Sequence, residues 1–186
     1  MRFSSTFTAL FLCSIIICSL FLFRPIVPVQ ADNNPTAALF LKIDGLKGNS
    51  QNPNHKDEFD IHSFNWDESI KVVNGGGGGG GAGKPTIGEI QFTLNSNSSS
   101  PKILQSLASG QHIKTAALTI VEPNGEQLKI KLTDIVFTTY KISGNDQYAS
   151  PLDQIGLNFA KIEMEHIDKN NSSSKGGWDV KANKSV

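Results

Sequence analysis

Beyond residue 37, apolar and polar positions alternate along most of the chain. That is the period of strands with one face toward a core. Residues 38–43 put Leu39, Leu41 and Ile43 on one face, and residues 58–66 oppose Phe59 and Ile61 to Asp60, His62, Phe64 and Trp66. Residues 69–73 extend this pairing toward a glycine run, and Ile87, Ile90, Phe92 and Leu94 mark the next strand. Residues 115–122 and 127–140 flank Pro123-Asn124-Gly125, and Asn-Gly between two alternating runs predicts a hairpin. Leu118 and Ile120 match Leu128, Ile130 and Leu132 across it, while Asp134 breaks the alternation and predicts a bulge or bend. Residues 143–153 read as a loop. Next, Ile155, Leu157 and Phe159 share a face, and Ile162 and Met164 lie on the other. Such a switch fits a strand bending round a barrel corner. Residues 170–177 read as a polar loop and 178–184 as a short closing strand.

One stretch has helical period. Ser100 is placed to cap it, Pro101 suits the first turn and Gly110 the C-terminal cap. Ile103, Leu104, Leu107 and Ala108 form its apolar stripe. A helix of this length is not stable alone in water, so it packs on a sheet or plugs the end of a barrel. Seven or eight strands with one helix, and no alternation of strand and helix, predict a mainly β fold: a small antiparallel β-barrel of two sheets with one short α-helix.

Residues 74–84 read NGGGGGGGAGK. Gly78–Lys84 spells most of a phosphate-binding loop, but that loop needs Ser or Thr after the lysine and a helix to follow. Here Pro85 follows and a strand comes next. The run therefore reads as a flexible bridge between strands.

Residues 1–31 stand apart from the fold. Arg2, an apolar block over residues 9–23, Arg24-Pro25 and the close Val29-Gln30-Ala31 have the order of a secretory signal cleaved after Ala31, with an uncleaved anchor as the rival. Residues 32–186 then form one domain, secreted or extracytoplasmic, touching a membrane only if the signal stays uncleaved. Cys13 and Cys18 both precede the cut, so the remainder would carry neither a disulfide nor a thiolate metal site. The whole chain has 17 basic and 17 acidic residues; removing Arg2 and Arg24 leaves 15 against 17, a net −2 that argues against nucleic acid as a partner.

No chemistry stands out. His55, Asp57, Asp60 and His62 suggest a metal cluster, but alternation puts Asp60 and His62 on one solvated strand face while His55 and Asp57 fall in or near a loop. Asp67-Glu68 and the pair Glu163 and Glu165 lack an apolar pocket to separate their acidities. There is no G-x-S-x-G elbow, and Asn97-Ser98-Ser99 and Asn171-Ser172-Ser173 are inexpensive sequon matches. We assign no catalytic, cofactor-binding or metal residues on this reading, and no cofactor.

Several motifs occur in a fixed order. They are Leu39-Phe-Leu-Lys-Ile-Asp-Gly-Leu-Lys-Gly48, His55-Lys56 before Ser63-Phe-Asn-Trp66, Gly81-Ala-Gly-Lys84, Ser100-Pro-Lys-Ile-Leu-Gln105, Ser109-Gly-Gln-His-Ile-Lys114, Leu132-Thr-Asp134, Leu157-Asn-Phe-Ala-Lys-Ile-Glu163 and Gly177-Trp-Asp-Val-Lys181. Together they resemble the haemolysin-coregulated protein (Hcp) family, the tube protein of type VI secretion, over nearly all of residues 39–186. The resemblance implies a non-catalytic β-barrel that assembles with itself, six copies to a ring, with rings stacked into a tube. It implies sheath, spike and effector proteins of a type VI system as further partners. The departure is the signal-like segment, since tube subunits normally assemble in the cytoplasm. An exported monomeric binding module that reuses the fold is the alternative reading.

Overall fold

The computed structural model describes residues 36–70, 85–146 and 149–186, all within the compact unit Pro35–Val186. The signal-like segment 1–31 and the glycine-rich stretch 74–84 lie outside the described residues.

The first strand, β1, spans Ala38–Ile43, and β2 spans Phe59–Asn65. A two-stranded ribbon follows, made of β3 (Glu68–Ser69) and β4 (Thr86–Ile87), and the glycine-rich stretch lies between these two strands in sequence. Pro85 leads into β4 rather than into a helix, so the helix a phosphate loop needs is not there. Then come β5 (Ile90–Asn95), the helix α1 (Ser100–Ser109), β6 (Ile113–Val121) and β7 (Gln127–Ser143). The chain ends with β8 (Leu152–Ile167), β9 (Ser173–Asp179) and β10 (Lys184–Ser185).

The main sheet runs β10-β9-β8-β5-β2-β1-β6-β7, and β7 also pairs with β8. That last pairing closes six strands into an antiparallel barrel, with β9 and β10 as a flap along one edge of β8. Two long strands make this possible. Residues 152–157 of β8 pair with β5, and residues 161–167 pair with β9 on the same side. The other side of β8 pairs with β7 along its length. The interior holds Leu41, Ile43, Phe59, Ile90, Phe92, Leu94, Leu118, Ile130, Leu132, Ile135 and Leu157, all at most 2% exposed. Each such side chain contributes about 2 kcal/mol by leaving water.

The predicted β1 coincides with the observed one. In β2 a bulge between Ile61 and Ser63 shifts the register, so Phe64 and Trp66 pack on the core beside Phe59 and Ile61. The expected loop 170–177 is mostly strand: Ser173–Asp179 pairs with β8, and Val186 comes back over Gly177. A Cβ on Gly177 would lie 2.6 Å from the Ile162 carbonyl oxygen, so a glycine there lets the strand approach. Polar loop composition concealed a strand that needed small residues.

The helix ends on Gly110 at φ +63, as its signals predict. Its start and its face differ from the reading. The N-cap is Ser99, whose hydroxyl donates to the Lys47 carbonyl at 2.6 Å instead of capping the helix. The buried face carries Ser100, Ile103 and Ser106, with Leu107 partly covered, while Leu104 is 50% exposed and Ala108 is also exposed. The helix lies on β7 along a narrow stripe, and two of its buried positions are serines.

In β6, β7 and β8 the interior residues step by two, except at one level where they step by three. Ile113 is followed by Ala116, Leu132 by Ile135, and Phe159 by Ile162. Ile113 pairs with Ile135, which pairs with Phe159; Ala116 pairs with Leu132, which pairs with Ile162. Three adjacent strands therefore change face together. At the centre of that line is Asp134, in the left-handed region at φ +54. A single left-handed residue turns the strand without unpairing it, and Asp is among the few side chains that tolerate the conformation. The bend predicted at Asp134 and the face switch in β8 are one structural event.

Candidate assembly surface

The bend gathers charged groups on the outer wall. Lys181 Nζ donates to Asp134 Oδ2 at 2.6 Å, and His112 Nδ1 lies 2.6 Å from Asp134 Oδ1. The Lys181 hydrogen bond, then the His112 one, hold the Asp134 carboxyl below its ordinary value, and the same bond holds the Lys181 ammonium above its own. His112 comes from the turn between α1 and β6, Asp134 from β7, and Lys181 from beyond β9, where the Val180 N–H donates to the Ala160 carbonyl at 2.9 Å.

Beside this cluster runs a groove of about 420 Å³, with Val136, Ala160 and Val180 among its apolar lining and His112, Asp134 and Lys181 among its polar lining. All of its lining residues except Val136 and Thr138 come from four of the ordered motifs: Ser109–Lys114, Leu132–Asp134, Leu157–Glu163 and Gly177–Lys181. Parts of motifs scattered over the second half of the chain thus meet on one patch of surface, while Ile113, Leu132, Leu157 and Ile162 of the same motifs lie in the core.

A second outer surface is a charge ladder. Lys129 lies opposite Glu165 and Lys131 opposite Glu163, with Lys175 of β9 opposite Glu165 on the other side. Lys175 bonds Glu165 at 3.0 Å, which is the main reason the Glu165 carboxyl sits below its ordinary value. Glu163 is shared by Lys161 at 3.2 Å and Lys131 at 3.7 Å. The Glu163 and Glu165 pair is thus a partly exposed ladder with cations on both sides, as expected for a solvated face.

The other sequence candidates do not converge. His55 stacks on Phe40 at 4.0 Å with an angle of 3° between the rings and pairs with Glu58 at 2.9 Å. It lies in the turn before β2, as the sequence places it, and is largely buried there. His62 meets Asn95 at 3.0 Å, and Asp57 reaches Lys47 at 3.9 Å. Asp67 and Glu68 are exposed, with Asp67 against Gly88.

A site that sequence reasoning missed lies inside. Asp153, expected in a loop, is the second residue of β8 and is fully buried. It accepts hydrogen bonds from Ser96 at 2.5 Å, from Ser100, and from the Tyr140 hydroxyl at 3.2 Å. Burial, then the Asp153 charge, push the Tyr140 hydroxyl above its ordinary value. Asp153 ties β5's exit, the first turn of α1 and β7 to one carboxylate. A helix N-terminus favours a negative charge there. The one local signal is an acidic residue in the alternating run Leu152–Leu157.

These elements define a class: a closed antiparallel β-barrel with one helix on its wall. The chain belongs to the family described as "Type VI secretion system effector, Hcp", which it matches over residues 40–166. It is 30% identical to Protein hcp1 of Pseudomonas aeruginosa over 147 residues, covering 77% of this chain and 91% of that protein. Among solved structures it is similar to Hcp1 from Salmonella typhimurium, at 28% identity and a TM-score of 0.70, covering 81% of this chain and 99% of that one. It is also similar to a type VI secretion system effector from Yersinia pestis, at 25% identity and a TM-score of 0.65, covering 76% and 98%.

Proposed function

We propose that this chain is a non-catalytic subunit that assembles with itself into rings, six copies to a ring, and leaves the cytoplasm. The observation that carries this reading is the patch at the bend, where residues from four of the ordered motifs line one outer groove together with Val136 and Thr138. These residues line an exposed surface whose apolar floor is rimmed by charge, the composition of a protein–protein contact. Membership of the Hcp family supports the same reading. Export through the signal-like segment is the further part of the proposal, with sheath, spike or effector proteins of a type VI system as its expected partners.

Residues 32–186, examined by light scattering and electron microscopy, should form rings. Val136→Asp in the groove should leave the circular dichroism unchanged and shift the population to monomers. A strict monomer at high concentration would overturn ring assembly and favour the exported binding module. Mass spectrometry of the native protein, with its cell fraction recorded, tests cleavage after Ala31 separately.

A further inference from the structure

We propose that Glu122, Glu126 and His166 form a binding site for a divalent transition-metal ion of the zinc class. One ligand atom from each lies within 4.8 Å of the others. Their convergence follows from register. Interior positions of β6 end at Ile120, those of β7 begin at Leu128, and those of β8 end at Met164. Leu128 pairs with Ile120 on one side and His166 on the other. Continuing the alternation by two residues brings Glu122, Glu126 and His166 to the same inner face, at the rim of the barrel. Three strand ends place three ligand-bearing side chains above an apolar floor.

The backbone fixes the two carboxylates. The Glu122 N–H donates to the Glu126 carbonyl at 2.9 Å, and the turn between them closes through Gly125, at φ +88, onto the Glu122 carbonyl at 3.0 Å. The Glu126 N–H donates to Asn124 Oδ1 at 2.9 Å, which stiffens the same turn. The two glutamates are therefore opposite one another on a hairpin end, and like charges so placed destabilise it. The polar partners they have are slight: Asn124 Nδ2 at 3.4 Å from Glu122 Oε2, and His166 Nε2 at 3.6 Å from Glu126 Oε2. A divalent cation between them would remove that repulsion.

The donor set selects the ion. Imidazole nitrogen favours zinc, copper, nickel and iron over magnesium and calcium, and carboxylates are compatible with zinc. Tetrahedral zinc places its ligands about 3.3 Å apart, from metal–ligand distances of about 2.0–2.1 Å. The His166–Glu126 separation of 3.6 Å is already near that value, and a Glu122 ligand atom lies within 4.8 Å of both. Three protein ligands leave a fourth position for water.

The test uses the full chain, stripped with a chelator, and zinc chloride as the titrant in calorimetry. Cobalt(II) serves as a second probe, read through its visible absorption as a tetrahedral ion. Binding of a single ion per chain is expected, with affinity falling at least about tenfold in His166→Ala and in Glu122→Gln. His62→Ala, which alters a histidine held by Asn95 elsewhere on the barrel, should bind as the parent does. Equal affinity in the parent and in His166→Ala would mean an adventitious ion only and would overturn the site, as would the lack of any heat or cobalt band. The site needs no second copy, so this result stands apart from ring assembly.

Discussion

Two aspartates on adjacent long strands show how differently this barrel holds charge. Asp134 stands on the outer wall, about one third exposed, with His112 and Lys181 on its two oxygens. Asp153 is buried inside and receives hydroxyls from Ser96, Ser100 and Tyr140. At the surface, water shares the solvation, so long cationic side chains can come and go at little cost. In the interior a bare carboxylate would lose several kcal/mol of hydration, and it is tolerated because fixed donors replace the water. One aspartate shapes a strand and adorns a surface; the other joins the helix to the barrel.

The sharpest way to break the contrast is Asp153→Ala. It leaves three hydroxyls without their acceptor and opens a small void where helix and strands meet. A loss of about 3 kcal/mol is expected, which lowers Tm by roughly 9 °C for a chain of this size. Denaturant melts should show it, and an unchanged midpoint would mean that the network is ornamental. Tyr140→Phe removes one donor at the long end of the range and keeps the ring, so about 1 kcal/mol is expected.

That Asp153 went unread in the sequence has a physical cause. Its partners Ser96 and Ser100 are 57 and 53 residues away, brought in by β5 and the start of α1. Local periodicity reports which face a residue takes, not what waits there. The same limit explains the helix: Pro101 and Gly110 announced its ends, though the N-cap fell on Ser99 and not on Ser100, and Leu104 belongs by composition to a stripe that the narrow contact on β7 leaves uncovered. Strands with clean alternation, such as Ala38–Ile43, were legible to the residue. The break at Asp134 was visible as a lapse in pattern, whereas its alignment with Ile113–Ala116 and Phe159–Ile162 needed the register of three strands. The patch of four motifs needed the same register, and so did the meeting of Glu122, Glu126 and His166.

The smallest effect, and the one that separates backbone from charge, lies at Asp134. Asn tolerates the left-handed region at least as well as Asp does, whereas Ala does not. Asp134→Asn thus removes the charge and keeps the turn, while Asp134→Ala loses both. The Asp134 carboxyl sits below its ordinary value of 3.8 in the folded chain because Lys181 and His112 hydrogen-bond its charged form. A depressed acid stabilises the fold at pH above its unfolded value, and that contribution fades as the pH falls through the folded value. The parent should therefore exceed Asp134→Asn in stability at neutral pH, and the two curves should meet in acid. Added salt should narrow the gap, since the groups are exposed. Asp134→Ala should lie below Asp134→Asn at every pH, by an amount that salt does not change. If Ala and Asn coincide, the left-handed turn costs nothing, and the bend shared by three strands is held by their packing alone.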